Sequence, residues 1–196
     1  VASELKALEG ICTRIDPFPP GHFLSSDSPG FQRWYSRDWM EYEAVSENKT
    51  GIEALRKGLE EAVHRQLMSD VPYGVLLSGG LDSSCVAGLA SRRLPRLKTF
   101  TTWFAEGDEW NELSHANLVN STFDLLSHHK EVSGAPLLEK LGNMLWYLDE
   151  PTLAMGIYPH WHVMEAASRE VTVVLDGQGG DEIFAGYDFY APQYLY

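Results

Sequence analysis

The sequence contains few cysteines and no long apolar run. Cys12 and Cys85 are the only two cysteines in 196 residues, and their spacing fits neither a disulfide framework nor a zinc site. No stretch of apolar residues is long enough to cross a bilayer, and the first residues form neither the basic region nor the apolar core of a secretion signal. These features exclude a disulfide-stabilised or membrane-spanning protein, and we expect a cytoplasmic one.

Basic residues are also scarce. The chain has 15 lysines and arginines against 28 aspartates and glutamates, which gives a formal net charge of −13. Proteins that bind the nucleic-acid backbone neutralise its phosphates with lysine and arginine, so this balance argues against a nucleic-acid partner. The hydrophobic content of 44% suffices for the buried core of one domain, with room for part of a second.

The commonest phosphate-binding motifs are missing from the main glycine turn, residues 77–84, whose sequence is LSGGLDSS. A Walker A loop ends in Gly-Lys-Ser or Gly-Lys-Thr, and a dinucleotide fingerprint opens its helix with Gly-x-Gly-x-x-Gly. The turn lies where the apolar run Tyr73–Leu77 gives way to helix-forming sequence. This order indicates a strand, a tight loop and a helix.

The residue types in this turn suit a phosphate group. Gly79 and Gly80 let the backbone approach an anion, the following helix offers unpaired amides, and serines at positions 78, 83 and 84 add hydroxyl donors. Asp82 would repel phosphate oxygens unless a divalent cation lay between them, so the turn indicates Mg²⁺ together with a nucleotide. The alternative is a serine- and glycine-rich turn that binds no ligand.

A second glycine turn, Asp176–Glu182 (DGQGGDE), follows the β-branched run Val171–Leu175. A carboxylate from this turn would complete a magnesium shell begun by Asp82, because Mg²⁺ in nucleotide sites takes one or two carboxylates with phosphate oxygens and water. The alternative is a capped helix start in which Asp181 or Glu182 only satisfies backbone amides.

Strand and helix patterns alternate along most of the chain. Residues 1–47 are rich in proline and glycine turns, which places a domain boundary near Glu47. Beyond it, the alternation predicts an α/β fold with a doubly wound parallel sheet, whose ligands bind at the carboxyl ends of the strands. The predicted strands are Tyr73–Leu77, Leu97–Phe104, Ser127–Val132 and Val171–Leu175, and the predicted helices are Ile52–Met68, Asp82–Leu94, Leu113–Leu126, Pro136–Tyr147 and Ile157–Arg169.

Two pairs of histidines are predicted to be structural. His128 and His129 are adjacent on a strand and point to opposite faces, so they cannot easily hold one metal ion. His160 and His162 lie in an aromatic, helical segment at a spacing that is poor for one helix face. We expect both residues of the second pair to pack.

The two glycine turns together carry a family resemblance. Residues 78–83 resemble the pyrophosphate loop of the N-type ATP pyrophosphatases, and residues 174–187 (VLDGQGGDEIFAGY) resemble the synthetase domain of the glutamine-hydrolysing asparagine synthetase family. The resemblance includes His128–Val132 and Leu148–Thr152 and runs from about Thr50 to Tyr187. It implies that residues 48–196 form an ATP-binding synthetase domain of the ATP pyrophosphatase type, truncated at its end. Residues 1–47 are then the tail of an N-terminal glutaminase domain.

The resemblance implies a two-step synthesis of asparagine. ATP would activate the side-chain carboxylate of aspartate as β-aspartyl-AMP with release of pyrophosphate, and ammonia derived from glutamine would then displace AMP. ATP and Mg²⁺ are the implied cofactors, Asp82 and Asp181 the implied metal ligands, and Gln178, Asp181 and Glu182 the implied catalytic residues. The implied ATP-binding residues are Leu76, Ser78, Gly79, Gly80, Leu81, Asp82, Ser83, Ser84, Thr102, Asp176 and Gly177.

The chain departs from the family pattern at Gln178 and at its end. Many members have glutamate where this chain has Gln178, and a neutral amide cannot accept a proton from a substrate. The activated acid therefore stays open, with a β-lactam or macrolactam synthetase as one alternative and a nucleotide-binding module without turnover as another. The sequence ends at Tyr196, before the lysine that the family uses in acyl transfer, so we expect this chain alone to form no amide. The residues leave the choice between a monomer and a homodimer open.

Overall fold

The computed structural model describes residues 1–36, 49–107, 111–149 and 156–190. The chain divides into two compact units, Val1–Ile52 and Glu53–Tyr196. The predicted boundary near Glu47 lies outside the described residues, so the assignment of residues 1–47 to a glutaminase tail stays a prediction. No helix in the described part of the chain is long and apolar enough to cross a membrane.

The first unit contains a β-hairpin. Strand β1 (His22–Ser25) pairs antiparallel with β2 (Ser28–Arg33), and Ser25 lies opposite Ser28 across the turn. The rings of Phe18 and Phe31 meet edge to face with centroids 5.0 Å apart. A hairpin of two short strands agrees with the turn-rich composition of this stretch.

The second unit is built on a parallel sheet of four strands in the order β5-β4-β3-β6. Gly74 of the central strand β3 lies opposite Lys98 on one side and Val174 on the other. All three strand pairs are parallel, so the four carboxyl ends share one edge of the sheet. The strands are β3 (Tyr73–Leu76), β4 (Lys98–Phe104), β5 (Leu126–Val132) and β6 (Val173–Leu175).

Helices cover both faces of this sheet. Val75 and Leu77 point to one face, where they pack with residues of α1, α2 and α3, whereas Leu76 points to the other and packs with α5. This alternation explains the unbroken apolar sequence of a strand that is buried on both sides. The predicted α/β fold with a doubly wound parallel sheet is confirmed. The helices are α1 (Lys49–Arg65), α2 (Leu81–Ser91), α3 (Leu113–Phe123), α4 (Leu137–Leu148), α5 (Ile157–Ala167) and the short α6 (Gly180–Phe184).

Buried threonines tie β4 to its neighbours. The Thr101 hydroxyl donates to the backbone carbonyl of Leu77 at 2.7 Å, which fixes the middle of β4 against the start of the loop after β3. The Thr99 hydroxyl donates to the Asn120 side-chain oxygen at 2.6 Å, which joins β4 to α3. Both threonines are buried, so each hydrogen bond satisfies a polar group that water does not reach.

We expect Thr99→Val to lower the free energy of unfolding by about 1–3 kcal/mol, because it leaves the buried Asn120 oxygen without its donor. Thr122→Val is the matched control. The exposed Thr122 hydroxyl donates only to Leu118 of its own helix, and its loss should change stability by less than about 0.5 kcal/mol. Urea denaturation measures both variants, and equal midpoints for the two would contradict the proposed tie between β4 and α3.

Candidate active site

The loop after β3 is folded tightly onto the first turn of α2. Gly80 is the N-cap residue of this helix, and its carbonyl accepts a hydrogen bond from the Ser84 amide at 3.0 Å. The Ser78 and Ser83 hydroxyl oxygens lie 3.0 Å apart, and the Gly80 amide donates to the Ser78 hydroxyl at 3.2 Å. The loop therefore presents a helix amino terminus and two linked serine hydroxyls at one place, which is a favourable arrangement for an anion.

Gly79 in the same loop provides close contact with α3. Its φ of +88° is in the left-handed region, and a Cβ at this position would lie 2.5 Å from both the Ala116 nitrogen and the His115 Cβ. Any side chain at position 79 would thus push the first turn of α3 away. This geometry accounts for the glycine by packing, and the predicted contact of Gly79 with ATP stays a prediction.

The loop after β6 meets the loop after β3. A Cβ at Gly180 would lie 2.1 Å from a carboxylate oxygen of Asp82, and a Cβ at Gly177 would lie 2.8 Å from the Ser83 amide nitrogen. Within the second loop, the Gly177 amide donates to the Asp176 carboxylate at 2.7 Å. Two segments about a hundred residues apart in sequence therefore form one site, since β3 and β6 are neighbours and run parallel.

A cavity of about 540 Å³ lies between these two loops. Four of its lining residues are acidic, namely Asp82, Asp176, Asp181 and Glu182. The lining residues are Ser78, Gly80, Leu81, Asp82, Ser83, Asp176, Gly177, Gln178, Gly179, Gly180, Asp181, Glu182, Phe184, Gly186 and Tyr187.

A smaller cavity of about 260 Å³ adjoins the first at the ends of β3 and β4. Its floor is apolar, formed by Leu76, Phe100 and Val163, and its rim carries polar groups. Four residues line both cavities, namely Ser78, Ser83, Asp176 and Gln178. The remaining lining residues of the smaller cavity are Leu77, Thr101, Thr102, Glu112, Gly156, Pro159 and His160.

This arrangement of strand ends and glycine loops lies within a segment that matches a known family. A sequence model described as asparagine synthase matches residues 54–196. The chain belongs to the asparagine synthase family. The family resemblance drawn from the two glycine turns is confirmed.

Individual relatives agree with the family model. The asparagine synthetase B (glutamine-hydrolysing) of Escherichia coli is 34% identical over 204 residues, which cover 97% of this chain and 37% of that protein. The asparagine synthetase (glutamine-hydrolysing) 2 of Lotus japonicus is 36% identical over 200 residues, covering 97% of this chain and 34% of that protein. This asparagine synthase chain thus spans little more than a third of the length of the curated relatives that it matches.

A comparison with solved structures found an NH3-dependent NAD synthetase from Campylobacter jejuni in complex with the nitrate ion. The two chains are 14% identical with a TM-score of 0.46, and the match covers 69% of this chain and 60% of the other. A similarity at this level adds nothing to the description of the site.

The predicted metal ligands, Asp82 and Asp181, lie on the wall of the larger cavity. The Asp82 carboxylate lies against Gly180, and an oxygen of Asp181 lies against Gly186, where a Cβ would be only 2.1 Å from it. Among the described residues, no group of three or more histidine, cysteine, aspartate or glutamate side chains is arranged to hold a metal ion. Two carboxylates on one cavity wall fit the donor set that Mg²⁺ takes when phosphate oxygens and water complete its shell.

The other predicted site residues differ in how directly they reach the cavities. Gln178 is exposed and lines both, and Thr102 is half-buried on the wall of the smaller one. Leu76 is 6% exposed and belongs to the core, and it also lines the smaller cavity. The Ser84 hydroxyl is buried without a hydrogen-bond partner among the described residues, and Ser84 lines neither cavity.

Glu182 forms a hydrogen-bonded pair with Tyr187 on the wall of the larger cavity. The Tyr187 hydroxyl donates to the Glu182 carboxylate at 2.8 Å. This bond lowers the pKa of Glu182 and raises the pKa of Tyr187 to about 12, because it favours the charged carboxylate and the neutral phenol. At physiological pH the pair therefore carries one negative charge, on a carboxylate whose orientation is fixed by the hydrogen bond.

Glu112 and His160 were missed by the sequence analysis as candidate site residues. His162 is 4% exposed and packs against Tyr158 as predicted, whereas His160 is exposed and lines the smaller cavity. The prediction that both histidines pack is therefore wrong for His160. Glu112 precedes α3 and His160 lies in the first turn of α5, so their position next to the strand ends was the available signal.

We expect Glu182→Gln to lower the pKa of Tyr187 from about 12 toward the ordinary value of 10.0, because the charged acceptor is lost. In the same way, Tyr187→Phe should raise the pKa of Glu182. The stability that Glu182 gains from the bond is present above the pKa of the unfolded carboxyl and is lost as the pH falls through the lower, folded pKa.

The difference between the ultraviolet titration curves of the parent and of Tyr187→Phe gives the pKa of this one phenol. Carboxyl NMR measures the pKa of Glu182. Tyr147→Phe is the control, because the Tyr147 ring lies on α4 and packs against Trp161, so its change should move neither pKa. Ionisation of Tyr187 near 10.0 in the parent would show that the pair does not form.

Proposed function

We propose that this chain is the ATP-binding part of a glutamine-dependent asparagine synthetase, an AMP-forming carbon–nitrogen ligase. The observation that carries the proposal is the contact between the two glycine loops, where Asp82 lies against Gly180. It supports a single site with an acidic phosphate-side cavity and a smaller, apolar-floored cavity beside it. The names of the relatives supply the reaction, and their ammonia source, glutamine, would be hydrolysed elsewhere in the full-length protein.

The chemistry requires an activated acid. A carboxylate does not react with ammonia until one oxygen is replaced by a better leaving group. Transfer of the adenylyl group from ATP to the aspartate side chain forms an acyl-adenylate and releases pyrophosphate. Attack of ammonia on the acyl carbon then forms the amide and releases AMP, so each turnover uses one ATP and one ammonia.

The residues after β3 would bind the triphosphate. The free amides at the start of α2 and the hydroxyls of Ser78 and Ser83 are donors at one place, and phosphate oxygens are acceptors only. Asp82 and Asp181 would hold Mg²⁺, which neutralises charge on the departing pyrophosphate when it is bound. The smaller cavity beside Leu76 and Thr102 would take the adenine base.

Gln178 supports a second candidate within the same reaction class. It lines both cavities and so lies between the nucleotide and the acceptor, where its amide can position a substrate but cannot remove a proton. An acid other than aspartate, activated in the same way and closed to a lactam, is therefore the alternative to asparagine formation. We also propose a cytoplasmic location and a homodimer for this protein.

Product analysis of the full-length protein tests the proposal. With Mg²⁺, ATP, aspartate and ammonia, we expect AMP, pyrophosphate and asparagine in equal amounts. Release of AMP with another carboxylic acid but not with aspartate would support the second candidate. Binding of ATP without AMP release for any acceptor would show a nucleotide-binding module and contradict the enzyme assignment.

We expect Asp82→Asn and Asp181→Asn each to weaken ATP binding mainly when Mg²⁺ is present, because both carboxylates are proposed to act through the cation. Calorimetry with and without metal measures this difference. Where one of these groups also stabilises transition-state charge, turnover of the full-length enzyme should fall about 100- to 1,000-fold. If either variant binds Mg²⁺-ATP like the parent, that residue is not a metal ligand.

We expect Gly180→Ala to weaken Mg²⁺-ATP binding by about 10- to 100-fold, the scale of changes that displace a metal ligand from its position. The new methyl group would occupy the place of the Asp82 carboxylate, which can rotate away without a shift of the backbone. The free energy of unfolding should therefore change little. Gly142→Ala is the control, because a Cβ there has no neighbour within 4 Å among the described residues.

A further inference from the structure

We infer that Glu112 selects adenine over guanine by accepting a hydrogen bond from the exocyclic amine of the base. The inference rests on the proposed function, since it assumes that a nucleotide occupies the two adjoining cavities. It adds a specificity residue that neither of the two glycine turns contains.

The two cavities set the direction of the nucleotide. The phosphates belong with Ser78, Ser83 and the start of α2, and these serines line both cavities, so the ribose lies at the shared boundary. The base then extends into the smaller cavity, over the apolar floor formed by Leu76, Phe100 and Val163. Glu112 lines only this smaller cavity, which puts it at the edge of the base rather than beside the ribose.

The Glu112 carboxylate is available for a ligand. Glu112 is the N-cap residue of α3, but its side chain makes no capping hydrogen bond among the described residues. The side chain of Asn111 performs that task, because its oxygen accepts from the Leu113 amide at 3.1 Å. The backbone carbonyl of Glu112 still accepts from Ala116 at 3.1 Å, so the residue is anchored by its main chain while its carboxylate remains exposed.

Gly79 fixes the position of Glu112 relative to the loop after β3. The absence of a side chain at position 79 lets Ala116 and His115 of α3 lie directly against the loop that would bind the triphosphate. The distance between the phosphate end of the site and the carboxylate at its base end is therefore set by a backbone contact. A rigid spacing of this kind is what a specificity contact needs.

The polar side chains around the base differ in whether they are free to form a hydrogen bond with it. Thr101 is already used, because its hydroxyl donates to the Leu77 carbonyl. An ionised carboxylate only accepts hydrogen bonds, so Glu112 matches the amine at position 6 of adenine. Guanine has a carbonyl oxygen at that position, and two acceptors facing each other repel, which rejects the wrong base by an unfavourable contact.

Competition binding with the full-length protein tests this inference. ATP, GTP and inorganic tripolyphosphate are compared, each with Mg²⁺, for the parent, Glu112→Ala and Glu112→Gln. The charge-matched control is Glu139→Ala, on the exposed surface of α4. Loss of a hydrogen bond to a charged group should reduce ATP affinity about 10- to 100-fold in Glu112→Ala. Affinity for tripolyphosphate should stay as in the parent, because that probe lacks a base.

The ratio of ATP to GTP affinity is the decisive readout. Glu112→Gln should bring it toward one, because an amide can donate to the guanine oxygen as well as accept from adenine. A purely structural role would instead weaken ATP and tripolyphosphate together and leave the ratio unchanged, which would overturn the inference. Unchanged discrimination in a folded Glu112→Gln would do the same. A parent that binds neither ATP nor tripolyphosphate would count against the proposed function itself, and the inference would fall with it.

Discussion

The candidate site depends on the parallel pairing of β3 with β6. Adjacent strands lie roughly 4.8 Å apart, so the loops that leave their carboxyl ends compete for the same space. Gly177 resolves that competition, since a Cβ there would lie 2.8 Å from the Ser83 amide nitrogen, and Gly180 leaves space for the Asp82 carboxylate beside it. The cavity, the position of the Asp82 carboxylate and the proposed metal site all follow from this close approach of the two loops.

Sequence reasoning was most reliable where a residue's role depends on its near neighbours in the chain. The apolar strand Tyr73–Leu76, the turn after it and the helix that begins at Leu81 follow from local periodicity and from two consecutive glycines. The meeting of the two glycine turns could also be predicted, because parallel strands place their carboxyl ends on one edge. For the same reason, the α/β fold and the doubly wound sheet were predicted together.

Contacts between distant segments explain what the sequence did not reveal. Gly79 was interpreted as a phosphate residue, although its conformation and missing side chain are accounted for by α3, more than thirty residues downstream. His160 and His162 lie on opposite sides of α5, and the sequence does not say which side is buried: His160 lines a cavity, whereas His162 is buried. Spacing alone cannot separate such cases, because the deciding atoms belong to other elements.

The two walls of the larger cavity contribute differently to the stability of the fold. On one side, α2 carries buried Ser83 and Ala87 into the core, so changes there also change stability. On the other side, each of the five residues of α6 reaches solvent, and the contacts of Tyr187 with Glu182, Phe189 and Tyr190 all lie within the same short segment. Most substitutions on the exposed side of α6 should therefore change the lining of the cavity and leave the fold intact. Residue 178 is exposed, lies just before α6 and lines both cavities, so a change there alters the chemistry of the site with little change in the stability of the fold.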